Sequence, residues 1–221
     1  AVTGPPGMMP VPQSPVAGSE PVPGCPRRGG PLTQWLGRTL LRLGGWRVEG
    51  RLPDEPRFVL IVAPHTSNWD FILGLLAMFT IGIRLSWLGK HSIFRFPIVG
   101  LLRWLGGEPV DRRVHHGIVE AAIDRFRSRR QWVLGIAPEG TRKRVEQWKT
   151  GFYLIAVGAD VPILPVAFDY SRRVVDLGTL FRPTGDQEAD IPAIRARYRK
   201  EMARHPENFV EPEGRSTAPG G

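Results

Sequence analysis

Two short segments carry the side chains best suited to chemistry. PHTSNWD, Pro64 to Asp70, sets an imidazole five residues before a carboxylate. A histidine of ordinary pKa, near ~6.5, can accept a proton at neutral pH. A carboxylate on one ring nitrogen fixes the tautomer and stabilises the imidazolium that forms as the proton moves. His65 and Asp70 are therefore a candidate general-base pair, although Asp70 alone would also suit a helix N-terminus. APEGTRKR, Ala137 to Arg144, gathers Glu139, Gly140, Thr141 and Arg142. Gly140 permits a tight turn. Arg142 offers a planar fork for phosphate, with Lys143 and Arg144 adding charge. Glu139 could hold Arg142 in place or bind a hydroxyl. The plainer alternative is a solvated turn with a basic exit. Ser67, Ser92 and Thr141 lack the Gly-x-Ser-x-Gly setting of an activated nucleophile. No His-Glu-x-x-His or cysteine pair accompanies the histidine, so no metal centre is expected.

The elements around these segments place both at strand ends. RFVLIVAPH reads as a buried strand over Phe58 to Val62, followed by a helix from Asn68 to Ile81. QWVLGIAP, Gln131 to Pro138, is a second strand running into the loop that holds Glu139. Further strands are expected over Leu85–Gly89 and Pro162–Tyr170, and helices over Phe96–Leu105, Ile118–Phe126, Gly151–Gly158 and Ile191–Met202. This alternation predicts a single α/β domain, with a central mostly parallel or mixed sheet and helices on both faces. In such sheets ligands bind outside the carboxyl ends of the strands, where both segments fall.

An amphipathic N-terminal helix precedes the domain. In LTQWLGRTLLRLGGW, Leu32, Leu36, Leu40 and Leu43 keep helical spacing with Trp35 beside them, and Gly44 and Gly45 should end the helix. The stripe suits two roles: a cover for the core, or a helix in a membrane interface with Arg38 and Arg42 on lipid phosphate. The folded part is expected over residues 32–204. Residues 1–31, rich in Pro and Gly, and the polar stretch 205–221 are expected as disordered tails.

The net charge of +9 points to an anionic partner: nucleic acid, an acidic membrane or a phosphorylated substrate. One cysteine, Cys25, excludes an intramolecular disulfide and suits a reducing compartment. The longest apolar run, Phe71 to Ile83, is short of the ~20 residues that a spanning helix needs. The N-terminus lacks the basic start and long apolar run of a secretory signal. Arg125 to Arg130 could form a phosphate patch, but no nucleic-acid-binding motif accompanies it.

The ordered set of segments resembles the glycerolipid acyltransferases typified by bacterial 1-acylglycerol-3-phosphate acyltransferase. The resemblance runs from about Arg57 to Phe168. His65, Ser67 and Asp70 match the first block, and Lys90 to Gly100, with Phe94, Pro97 and Gly100, resembles the second. Val110, Asp111 and Arg112 match a short strand-end Asp-Arg; Glu139, Gly140, Thr141 and Arg142 match the Glu-Gly-Thr-Arg block. Trp148, Lys149 and Gly151, then VPILPV from Val161 to Val166, complete the order. Departures are Pro64 where Asn is usual before the His, Ser92 where Glu is usual, and Lys143 where Ser often follows the Arg.

The resemblance implies fatty acyl transfer from acyl-coenzyme A or acyl carrier protein to the hydroxyl of a lysophospholipid-like acceptor, lysophosphatidic acid by default. His65 and Asp70 would be the base pair. Glu139, Gly140, Thr141, Arg142, Arg112 and Lys90 would bind the acceptor and its phosphate. No cofactor is implied beyond the acyl donor, and no nucleic acid. The enzyme would work as a peripheral protein on the cytoplasmic face of an anionic membrane. The rival from another class is a non-catalytic lipid-binding protein of the same fold.

Overall fold

The computed structural model describes residues 24–110 and 115–211, apart from the side chains of Lys90, Val110, His115 and His116. The chain opens with α1 (Pro31–Leu43) and a short β1 (Arg47–Glu49), then β2 (Arg57–Ala63), α2 (Trp69–Ile81), β3 (Ser86–Lys90), α3 (Val99–Trp104) and β4 (Gly107–Val110). It continues through α4 (His115–Ser128), β5 (Trp132–Ile136), α5 (Gly151–Ala159), β6 (Ile163–Asp169), β7 (Val174–Leu177) and α6 (Gln187–Arg195). The strands form one seven-stranded sheet in the order β1-β7-β6-β2-β5-β3-β4. All neighbours pair in parallel except β6 and β7. The expected mixed, mostly parallel sheet is thus present, with β1 and β7 as an additional edge.

Strand β2 shows why this chain folds as it does. Both of its neighbours are strands and both of its faces are covered, so an almost continuous apolar run is needed. Val59, Ile61 and Ala63 face the layer of α4, α5 and α6, packing with Phe126, Phe152 and Ile194. Phe58 and Leu60 face α1 and α2, packing with Leu41, Leu73 and Met78. Burying each such side chain contributes about 1.5–3 kcal/mol. The expected boundaries of 32–204 are narrower than the packing. Cys25 is buried before them, and Phe209 after them.

Helix α3 starts three residues after the expected Phe96 and α4 three before the expected Ile118, but the larger differences are at α1 and α6. Helix α1 lies on α2 through Gly37 and Leu41, the residues it buries. A Cβ at Gly37 would stand 2.9 Å from the Thr80 nitrogen, so glycine sets how closely the two helices approach. The leucine stripe therefore does not cover the core. Leu32, Trp35, Leu36, Leu40 and Leu43 all point outward. The last helix was expected over Ile191–Met202 but begins earlier and ends earlier. Asp186 caps it by accepting the Glu188 and Ala189 N–H groups, Pro192 sits inside it, and Lys200–Met202 forms a separate 3₁₀ turn.

The topology makes one crevice. The chain leaving β2 enters α2 on one face of the sheet, whereas the chain leaving β5 enters α5 on the other. Because β2 and β5 are adjacent, their carboxyl ends part at a switch point, the usual ligand position in open α/β sheets.

Candidate active site

His65 follows β2 after a cis Ala63–Pro64 bond. Its backbone N–H donates to Glu139 Oε2 at 2.9 Å, so the loop after β5 is tied to the loop after β2 across the crevice. Its ring Nδ1 lies 3.3 Å from Asp70 Oδ2. The His65 side chain is 22% exposed and that of Asp70 is 0% exposed. The imidazole can therefore be reached and the carboxylate cannot. No hydrogen bond among the described residues engages Nε2 of His65.

Asp70 stands in the first turn of α2, folded back over the loop that leads to it. Its Oδ2 also accepts the Ser67 N–H at 2.8 Å, while the Ser67 hydroxyl accepts the Trp69 N–H at 3.2 Å. Asp70 and Ser67 so satisfy donors that the helix start would leave unpaired. Its other oxygen, Oδ1, accepts the Tyr170 hydroxyl at 2.7 Å. Such a carboxylate, fixed on one imidazole nitrogen, orients the ring and leaves the opposite nitrogen to meet a proton.

Glu139 is 7% exposed and faces inward beneath His65 rather than toward solvent. Burial pushes its carboxyl above the usual range, opposed by the His65 N–H bond that favours its charged form. The geometry makes Glu139 the brace between the two segments. Gly140 takes φ +66°, and a Cβ there would press on the Lys149 side chain at 2.9 Å. Thr141 accepts the Lys143 N–H at 3.3 Å. Arg142 is exposed, with no ion pair among the described residues. A guanidinium so placed remains available to an anionic ligand.

Lys90 ends β3, beside β5 and β4, and its side chain lies outside the described residues. Arg112 and Asp111 also lie outside them. Ser67 is 7% exposed and its hydroxyl is occupied at the helix start, which does not suit a nucleophile. Among the described residues no group of His, Cys, Asp and Glu could hold a metal.

Two contributors were not found from the sequence. Tyr170, just past β6, reaches Asp70 from 100 positions away. The segment after α6 also braces the site: the His205 N–H donates to Thr66 Oγ1 at 3.2 Å, and the Tyr170 N–H donates to the Met202 carbonyl at 3.0 Å. No local spacing marks either residue. The signal would have been the adjacency of β6 to β2, which brings their carboxyl ends together.

The Acyltransferase family model matches residues 46–169, which contain both segments. The chain belongs to the acyltransferase family. Among its relatives, the 1-acyl-sn-glycerol-3-phosphate acyltransferase of Salmonella typhimurium is 30% identical over 179 residues, covering 75% of this chain and 70% of the relative. The Escherichia coli K12 protein of the same name is 28% identical over 179 residues with the same coverage. The human 1-acyl-sn-glycerol-3-phosphate acyltransferase beta is 28% identical over 183 residues, covering 72% of this acyltransferase and 65% of the relative. The crystal structure of the 1-acyl-sn-glycerophosphate (LPA) acyltransferase PlsC from Thermotoga maritima shares the fold. It aligns with a TM-score of 0.54 at 20% identity, over 72% of each chain.

Proposed function

We propose that this acyltransferase moves a fatty acyl group from an acyl thioester to the free hydroxyl of a lysophosphatidic-acid-like acceptor, with His65 as general base. The observation that carries the reading is the His65–Asp70 contact of 3.3 Å at a strand end, with the ring partly exposed and the carboxylate buried. The relatives' names support the acceptor class. In the step proposed, the acceptor O–H gives its proton to Nε2 of His65 as its oxygen attacks the thioester carbonyl. Asp70 stabilises the resulting imidazolium. Collapse of the tetrahedral intermediate breaks the carbon–sulfur bond, and His65 returns the proton to the thiolate. Arg142, joined by Arg112 and Lys90, would hold the acceptor phosphate. The donor is acyl-coenzyme A or acyl carrier protein, and the enzyme uses no resident cofactor.

The acceptor class resides in a bilayer, and the apolar surface suits approach from one side. No described helix is long and apolar enough to cross a membrane. Leu32, Trp35, Leu36, Leu40 and Leu43 of α1 are exposed, as are Phe96, Leu101 and Trp104 around α3. The two groups are linked through α2: α1 packs on it, and the Trp104 ring lies 6.0 Å from that of Phe79. Arg38 and Arg42 add cationic charge on α1. This face fits peripheral docking on an anionic bilayer, expected on its cytoplasmic side. Mass spectrometry of products from a panel of lysolipids, each offered with both donors, tests the activity. Diacylated phosphatidic acid is the expected product. Acylation of only another lysolipid would overturn the acceptor, and no acylated product from any pairing would overturn the reading.

A further inference from the structure

Tyr170 lies outside both segments and just past the residues that the family model matches. The Tyr170 hydroxyl donates to Asp70 Oδ1 at 2.7 Å, while Oδ2 serves Ser67 and His65. The carboxyl torsion of an aspartate is broad and weakly defined by its own chemistry. Partners on both oxygens are what hold its plane. The Tyr170 ring is itself held. Trp46 and Tyr170 pack edge to face at 4.8 Å between centroids, with an interplanar angle of 86°. The Arg204 guanidinium lies 5.8 Å from the Tyr170 ring and 5.4 Å from that of Trp69. The phenol is thus aimed by three separate parts of the chain: the segment after α1, the end of β6 and the segment after α6.

We infer that Tyr170 is a positioning residue for acyl transfer: its hydroxyl fixes the plane of Asp70 and draws charge from it, so setting both the aim and the basicity of His65. The inference rests on the reading of His65 and Asp70 as the base pair. Burial, and then the bond to Asp70, push the Tyr170 phenol well above its ordinary pKa, so it stays a donor throughout the neutral range. A hydrogen bond to a carboxylate spreads its negative charge. Without that bond, Asp70 would carry more charge beside Nδ1 and favour the imidazolium form. The other charged groups facing this cluster are Glu139 from the β5 loop, Arg204 from the last segment, and Arg195 of α6, which acts on Glu139. Tyr170→Phe leaves all three in place.

Tyr170→Phe keeps the ring, its packing on Trp46 and the Arg204 guanidinium over its face, and removes only the hydroxyl, with its bond to Asp70 and its interaction with Arg204. Its kcat should fall about tenfold, the size expected for one charge-assisted hydrogen bond. Both KM values should stay within about twofold, since no substrate contact is removed. The acid limb of kcat/KM, which reports His65 losing its proton, should move to higher pH by about half a unit. Unchanged kcat and an unmoved limb would overturn the inference, as would a loss of kcat explained by a lower melting temperature with the limb in place. His65→Ala, assayed beside it, separates the two readings. If His65→Ala is inactive and Tyr170→Phe is normal, only the role of Tyr170 fails. If His65→Ala turns over normally, the base pair itself is wrong and the inference falls with it.

Discussion

Asp70 is a carboxylate with 1% of its surface exposed, whereas Trp35 and Leu43 on α1 are 61% and 79% exposed. Each runs against the ordinary partition of polar and apolar groups. At the β2–α2 junction the exception is supported from within, by Ser67, His65 and Tyr170. On α1 nothing in the described chain covers the leucines, and the helix is anchored by Gly37 and Leu41 instead. A buried charge with donors on both oxygens is a device for holding geometry, because burial alone would disfavour it. An exposed apolar stripe contributes little to folding and gains free energy only from an outside surface. Changes at the first region should therefore alter chemistry, and changes at the second should alter location.

The largest effect expected is at the junction. Asp70→Asn cannot stabilise an imidazolium, and its amide would turn an N–H toward one of three existing donors. Its kcat should fall about 10³–10⁴-fold in steady-state assays on folded protein. Arg142→Lys should come next. It keeps the charge and loses the fork, so the KM for a phosphorylated acceptor should rise about tenfold while that of the donor holds. A rise confined to the donor would place Arg142 at the thioester side.

The outer face of α1 provides the opposite behaviour. The combined change Trp35→Ser, Leu36→Ser and Leu43→Ser should reduce sedimentation with anionic vesicles about tenfold or more. Melting should change little, because exposed substitutions usually stay within about 0.5 kcal/mol each. Residual binding should weaken further with salt, since each basic residue near an anionic surface is worth ~1 kcal/mol and is screened. Vesicle binding equal to that of the parent chain would show that the face docks elsewhere. The smallest effect concerns Glu139, whose folded pKa is raised by burial. Its stability contribution is fully present below the ordinary glutamate pKa and is lost as pH rises through the folded value. Glu139→Gln lacks this loss. Its melting temperature relative to wild type should therefore improve from about pH 4 to pH 7.

The sequence was most informative where interactions are local. The apolar run of β2 and the helix after it stood close to their observed limits of Arg57–Ala63 and Trp69–Ile81, because length and apolar pattern decide both. His65 and Asp70 were legible together because one loop and one helical turn separate them. Strands β1 and β7 were missed: they span only Arg47–Glu49 and Val174–Leu177, too short for alternation to register. Helix α6 starts before the expected Ile191 because Asp186 caps it, and Pro192 sits inside it. The core-cover role weighed for α1 rested on a genuine stripe, but Gly37 lets α2 approach from the other side. The Glu139 bond to the His65 backbone, and Tyr170 on Asp70, depend on which strands lie side by side. Sheet order is a property of the whole fold, and no spacing along the chain encodes it.

The central claim is that His65 takes the acceptor's proton, and thiol release from acyl-coenzyme A or acyl carrier protein in the presence of lysophosphatidic acid tests it most directly. His65→Ala should lower the acceptor-dependent rate by ~10²–10⁴-fold, with vesicle binding and melting temperature retained. Acceptor-dependent release near the wild-type rate in that variant would contradict the account.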